Sequence, residues 1–446
     1  MTPLRTILTW GTTAIALGAV AVWPIYAERS ADAAHAASLP TMAPVEADYA
    51  QRDKLVAFWE KQVGEHHTGD MMSPRQLADQ YLQRYRERGD ISDVFRAAHE
   101  AQLSLKAQPR FNVQADVEIA AVDLTLHNFK KALAETKYIE SYDPHDPNMQ
   151  IREASLDLEL GDYAGAKKII DRLQHLDKYA AIPEDTLVTR YDELTGHLAQ
   201  ARRIFERPTA YGNAQFDAPA QTRAWFYFRS GELAFEAGDN DAAIADEETS
   251  KQIFPNYVDA TRAEARFDCA LHRWKECLDN ATASANIIPY PETLGYEADA
   301  QRALGDQAAA QQTDGLIRTV ERIGNAQHIS DRLLAIYYSE HCIHTADAYA
   351  IARRELKVRD DILTQDTLAW AAAMDDRWDV ARTEMRKTIR FDTEISLLQY
   401  HAGVIALHFG DRVEARKRFE RALALNPHFH AVYADDARAQ LAALHS

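Results

Sequence analysis

Residues 400–429 read YHAGVIALHFGDRVEARKRFERALALNPHF. The stretch divides into two amphipathic helices joined at Gly410-Asp411. The second helix stops at Asn426-Pro427, because proline disfavours helical geometry in the residue before it. Gly403 lies on the first helix. Ala415, Phe419 and Ala422 share one stripe of the second, at i, i+4 and i+7. Small side chains at 403 and 415 let the two helices approach, and Phe419 fills the space beside them. A lone pair cannot bury such a face, so a similar neighbour is required, and the pattern recurs upstream about every 34 residues.

From Ser73-Pro74, a good helix start, the first pair turns at Gly89-Asp90 and carries Ala97 and Ala101 before ending at Pro109. The next carry Ala120, Phe129, Ala132 and Pro144; then Ala154, Gly161, Ala166 and Ile170; then Gly196, Ala201, Phe205 and Pro208. Residues 209–221 read as a surface loop or a seam in the array. The pattern resumes with Gly231, Gly238, Ala243 and Pro255, then Ala265, Trp274, Cys277, Ala281 and Pro289. Ala298, Gly305, Ala310 and Ile317 follow in a pair that runs on through Asn325. Ala348, Ala352 and Leu356 mark the next, and Ala369, Trp378, Ala381, Met385 and Ile389 the one after. Asp48 to Val63 and His430 to Leu444 read as capping helices. The expectation is an all-α chain: a right-handed superhelix of about ten helix pairs over residues 47–446, with a C-terminal cap.

On Gly403, Ala415, Phe419, Ala422 and Pro427 the chain resembles the tetratricopeptide repeat (TPR) family. The resemblance implies a scaffold fold and, through its concave face, a protein or peptide partner. Folds of this kind serve many unrelated duties, so no particular partner follows. In that family the first helix of each pair lines the inner surface. Its inward positions here, read by phase, are Trp225, Phe228, Glu232, Phe235, Arg262, Arg266, Cys269, Asp299, Arg302, Tyr337, Glu340, Trp370 and Tyr400. Rings interleaved with arginine suit peptide binding, the rings giving contact area and arginine pairing with carboxylates. The competing reading is that individual rings pack between neighbouring pairs. One subclass of the family grips a peptide carboxylate through a Lys/Asn/Arg set; that set is not aligned here.

The 446-residue chain has a net charge of −18, which argues against non-specific nucleic-acid binding and against adsorption to an anionic membrane. Residues 1–27 read as a targeting segment: Arg5, then an apolar run from Ile7 to Trp23, then Pro24 and an Ile25-Tyr26-Ala27 cleavage site. Kept uncleaved, residues 5–27 are long enough to anchor the protein in an inner membrane. Residues 28–46 read as a flexible linker. The expected location is periplasmic or secreted.

Three cysteines are present. Cys277 takes an alanine slot as a small buried hydrophobe, and Cys269 and Cys277 lie on opposite arms of one hairpin, where a disulfide is geometrically open. Cys269, His272 and Cys277, and again Glu340, His341, Cys342 and His344, lack standard zinc spacing, so no metal site is expected. His66-His67 reads as a solvated turn. No GxSxG elbow, phosphate loop or HExxH pair occurs, and no catalytic residue or cofactor is assigned. The expectation is an exported, non-enzymatic interaction scaffold. The alternatives are a self-associating structural array and a helical-repeat hydrolase.

Overall fold

The computed structural model describes residues 49–65, 69–173, 181–214, 218–326 and 332–445. The targeting segment, the linker and His66-His67 lie outside them. The described residues hold 22 helices and no strand. An N-terminal helix, α1 (Tyr49–Gly64), precedes ten pairs. These are α2 (Met72–Arg88) with α3 (Ile91–Ala107), α4 (Val113–Thr125) with α5 (Phe129–Glu140), α6 (Pro147–Glu159) with α7 (Tyr163–Leu173), and α8 (Ala181–Leu194) with α9 (Leu198–Ala214). Then come α10 (Ala220–Glu236) with α11 (Asn240–Ile253), α12 (Val258–Ala270) with α13 (Trp274–Ile287), and α14 (Pro291–Ala303) with α15 (Gln307–Ala326). The last are α16 (Arg332–Glu340) with α17 (Thr345–Val358), α18 (Ile362–Met374) with α19 (Trp378–Thr388), and α20 (Ser396–His408) with α21 (Arg412–Leu425); α22 (Tyr433–His445) closes the chain.

The turn inside every pair holds a residue in the left-handed region, which ends the first helix and reverses the chain. Glycine fills that place at 89, 161, 196, 238, 305 and 410, and His127, His272, Cys342 and Asp376 fill it elsewhere. Aspartate starts several helices. Asp361 accepts from Thr364 N at 2.8 Å, and Asp411 from Glu414 N at 3.1 Å. Asp70 accepts from the amides of Met72 and Ser73, so α2 starts one residue before the Ser73-Pro74 signal.

The alanines that set the sequence phase, among them Ala97, Ala120, Ala154, Ala201, Ala243, Ala281, Ala348, Ala381 and Ala415, are all fully buried. Gly403 shows why the first helix needs a small residue. A Cβ placed there would lie 2.6 Å from Cε1 of Phe419, itself fully buried. Gly403→Val is therefore expected to cost about 1–3 kcal/mol by overpacking, read as faster amide exchange in α20 and α21.

Residues 209–214 and 220–221 are helical, where the sequence reads as a surface loop or a seam. Helix α9 continues through Pro208 to Ala214, and α10 begins at Ala220. The proline gives up one backbone donor, but its ring is buried and the helix carries on past it. The extended pair ending near Asn325 is the 20-residue helix α15.

The chain divides into two compact bodies. The first holds the described residues up to Leu187 with Ala210–Ala224 and Ile253–Tyr257; the second holds Val188–Thr209, Trp225–Gln252 and Val258 onward. In the first body, Val56 of α1 packs with Leu77, Tyr81, Leu82, Val94 and Ala97. In the second, the C-terminal core gathers Trp370, Tyr400, Phe419, Phe429 and Tyr433. No described helix is long and apolar enough to cross a membrane.

Candidate functional site

In the second body the first helices of successive pairs pack directly on one another: α12 on α14, α14 on α16, α16 on α18 and α18 on α20. Helices that approach this closely line the shorter, concave side of a curved array.

The rings expected to stand exposed on that side are buried. Trp225 is 0% exposed and lies against Phe205 and Phe226, with ring centroids 6.0 and 5.2 Å away. Phe228 is buried, and Phe235 stacks on Phe267 at 4.3 Å. Trp370 stacks on His401 at 4.0 Å, beside Tyr400 and Tyr433. Tyr400 OH donates to Asp436 at 2.8 Å, and Tyr337 OH donates to Asp314 at 3.0 Å while its ring fills the space over Gly295. The physical reason is spacing: adjacent first helices sit close enough for a ring pointing toward the next pair to be captured by it.

The charged residues of these first helices form a row of three ionic clusters. Arg229 donates to Glu193 at 3.0 Å and lies 3.7 Å from Glu232. Arg266 donates to Glu232 at 2.8 Å and to Glu236 at 3.3 Å, with its guanidinium over the Phe235 and Phe267 rings. Arg262 donates to Glu292 at 2.8 Å and Asp259 at 3.3 Å, and Tyr296 OH donates to Glu292 at 2.9 Å. Arg302 joins Asp299 at 2.8 Å and Asp314 at 2.7 Å, and Asp299 accepts from His341 Nε2 at 3.0 Å. His341 Nδ1 meets the Tyr337 carbonyl at 2.8 Å.

Arg262 is buried, whereas the side chains of Glu232, Arg266, Asp299 and Arg302 keep 24%, 27%, 35% and 33% of their surface open. Burial disfavours the charge on Arg262 and Arg266, but the carboxylates beside them outweigh it and hold both pKa values up. Burial, opposed by Arg266 and reinforced by Glu232 and Glu193, pushes Glu236 up to about 7. For His341, burial acts downward and is outweighed by the Asp299 carboxylate and the Tyr337 carbonyl, so its pKa is raised.

Glu247 stands behind this row on α11. It is 0% exposed, neither carboxyl oxygen has a hydrogen-bond partner, and Oε1 lies 2.6 Å from where a Cβ on Gly231 would sit. Burial first, then the nearby Glu232, Glu264 and Asp246, raise its pKa well above the ordinary 4.5. A carboxyl raised on folding carries no penalty below its unfolded value and destabilises the fold as pH climbs toward the folded one. Glu247→Gln is expected to flatten that fall. The variant should be the more stable by about 1 kcal/mol or more at pH 8 and indistinguishable from wild type near pH 4, in thermal unfolding followed against pH.

Cys269 and Cys277 are disulfide-bonded across the α12–α13 hairpin, with Cα atoms 5.1 Å apart. Cys277 is also fully buried in its alanine slot. The bond consumes both thiolates as metal ligands, and His272 Nε2 meets the Ala431 carbonyl at 2.7 Å. Around the other candidate, His341 bonds to Asp299 and the exposed Cys342 Sγ lies 3.6 Å from Met374 Sδ. Neither group converges on a metal position among the described residues.

Sequence reasoning named Glu232, Arg262, Arg266, Asp299 and Arg302 but missed their partners Glu193, Arg229, Glu292, Asp314 and His341. The i,i+3 spacing of Arg229/Glu232, Asp259/Arg262 and Asp299/Arg302 was a local signal for half of the row. The bonds between pairs had none.

Ten hairpins with buried alanines at fixed phase and a left-handed residue in each turn make the described residues an all-α array of helix pairs, the architecture that the tetratricopeptide resemblance implies. No protein-family model matches the chain, and no curated protein does. Among solved structures, the APC/C hetero-tetramer Cut9-Hcn1 is similar at 12% identity and a TM-score of 0.33, covering 89% of this chain and 94% of that one. Yeast Tom70 is similar at 11% identity and a TM-score of 0.32, covering 84% of this chain and 96% of that one. Values this low carry no argument about function.

Proposed function

We propose that this protein is a non-enzymatic interaction scaffold that holds a protein or peptide segment against the first-helix face of its second body. The observation that carries the reading is the partly open ionic row of Glu232, Arg266, Asp299 and Arg302, set on a floor of packed rings. Such a row offers oriented donors and acceptors on rigid helices, which favours recognition over chemistry. Arg262 and Arg266 are each held by two carboxylates of the chain itself, so an acidic ligand finds much of their attraction already used. With Glu193, Glu232, Glu236, Glu292, Asp299 and Asp314 in the row, a partner segment rich in lysine, arginine or other hydrogen-bond donors fits better. Cross-linking in the native cell followed by mass spectrometry tests this. One partner captured through α10–α16 supports it, whereas capture of this chain alone favours a self-associating array.

Export through residues 1–27, with those residues cleaved or retained as an inner-membrane anchor, belongs to the same proposal. A disulfide at Cys269–Cys277 supports it, because such bonds persist in oxidising compartments such as the periplasm. Thiol labelling in intact cells should find Cys342 reactive and the other two protected until reductant is added. Three reactive thiols without reductant would contradict it.

A further inference from the structure

The second body meets itself along one line. Glu394, in the turn between α19 and α20, accepts from Leu198 N at the tip of the α8–α9 pair at 2.8 Å, across 196 residues of sequence. Asn426, in the turn between α21 and α22, donates to Phe235 O at the tip of the α10–α11 pair at 2.7 Å, across 191 residues. At the next tip, His272 Nε2 donates to Ala431 O at 2.7 Å, across 159 residues. Three successive tips thus touch two later turns, those that follow α19 and α21, so the path of the second body returns to itself after about five or six pairs of about 34 residues each.

Two glycines belong to this line. Gly196 and Gly238 have φ of +83° and +75°, and a Cβ on them would lie 2.8 Å from Asp392 O and 2.7 Å from Leu425 O. Gly305 and Gly410 hold the same turn position with φ of +90° and +77°, yet have nothing within 4 Å. Glycine suits the left-handed backbone at all four, a place that His127, His272, Cys342 and Asp376 hold in other pairs, and at 196 and 238 it is also needed for the approach. Asn426 is fully buried, with its Oδ1 accepting from His428 N at 2.8 Å, and Glu394 is braced by Arg421.

These bridging contacts are hydrogen bonds, each of modest net worth because water replaces it when it parts. Together they set an equilibrium small enough for differential binding to shift. We infer that the line is a gate. Closed, it shuts the gap between successive turns of the second body; parted, it gives an extended partner lateral access to the first-helix face. The gating role rests on the binding reading above, but the gate itself is tested without a partner.

The test is amide hydrogen exchange on the full chain. Leu198 is the first residue of α9, and a first-turn amide has no partner within its own helix. Its protection therefore reports the Glu394 contact. Wild type should protect Leu198, but at least about tenfold less than the core amide of Ala415, because the gate opens without global unfolding. Gly238→Ala combined with Asn426→Ala should speed Leu198 exchange a further tenfold or so and enlarge the radius of gyration in solution scattering. Gly410→Ala, with the same backbone strain and no contact, should change neither. Asn426→Ser replaces the double variant where that one does not fold. An unprotected Leu198 in wild type, protection equal to that of Ala415, or equal responses in the gate and Gly410 variants would each overturn the proposal. Failure to capture a partner would leave these outcomes untouched, so the two readings fail separately.

Discussion

Arg262→Glu is expected to unfold the α12–α14 region instead of merely altering recognition. Arg262 is buried and lies between Asp259 at 3.3 Å and Glu292 at 2.8 Å. Reversing its charge gathers three carboxylates in a site where burial already works against charge. Breaking a buried pair from one side costs about 3–5 kcal/mol, because the remaining charge stays without compensation. The pKa of Glu292 should respond first. Burial acts to raise it, and Arg262 outweighs burial to hold it below the ordinary range. With Arg262 gone the shift reverses, Glu292 takes up a proton, and the variant becomes less unstable as pH falls. Amide exchange in α12, α13 and α14 measured at pH 5 and pH 8 checks this. Equal protection in variant and wild type at both values would remove Arg262 from the structural frame.

Trp225→Ala is the second large effect, expected at about 3–5 kcal/mol from lost burial and the cavity left behind. The indole is 0% exposed and meets Phe205 and Phe226. In a repeat array such a loss is felt mainly by the pair that carries it and its neighbours. Exchange should therefore quicken in α9, α10 and α11 while α20 and α21 keep their protection. A uniform loss along the second body would show cooperativity longer in range than nearest-neighbour packing supplies. A weakened partner in either variant would not identify a binding residue, since both act through folding.

Those two residues mark where the sequence was legible and where it was not. Periodicity gave the hairpins, because an alanine that must admit a neighbouring helix has one permitted size and recurs at fixed spacing. Ala415, Phe419 and Ala422 read this way and are all fully buried. Periodicity also placed Trp225, Phe235, Trp370 and Tyr400 on first helices. It did not separate a ring facing the lumen from one turned toward the next pair, since those directions differ by a fraction of a helical turn. Pro208 misled for a different reason. A proline ends a helix on average, but a buried ring with the following turns in place lets α9 continue. The contacts of Leu198, Asn426 and His272 join residues 196, 191 and 159 apart in sequence, and no local pattern announces them.

The pair Glu232→Gln/Asp299→Asn offers a cleaner probe of the face. Without the Glu232 charge, Arg266 keeps Glu236 and Arg229 keeps Glu193. Without the Asp299 charge, Arg302 keeps Asp314, and the amide oxygen of the asparagine still accepts from His341. No buried charge is orphaned, so the fold should persist while two of the open groups are lost. The deciding measurement is the dissociation constant of the partner captured from the native cell, determined for wild type and for this double variant after both show the same helical content and melting. The proposal predicts binding weaker by about tenfold or more, equivalent to about 1.4 kcal/mol. An unchanged constant in a folded double variant would contradict it and place recognition on another surface.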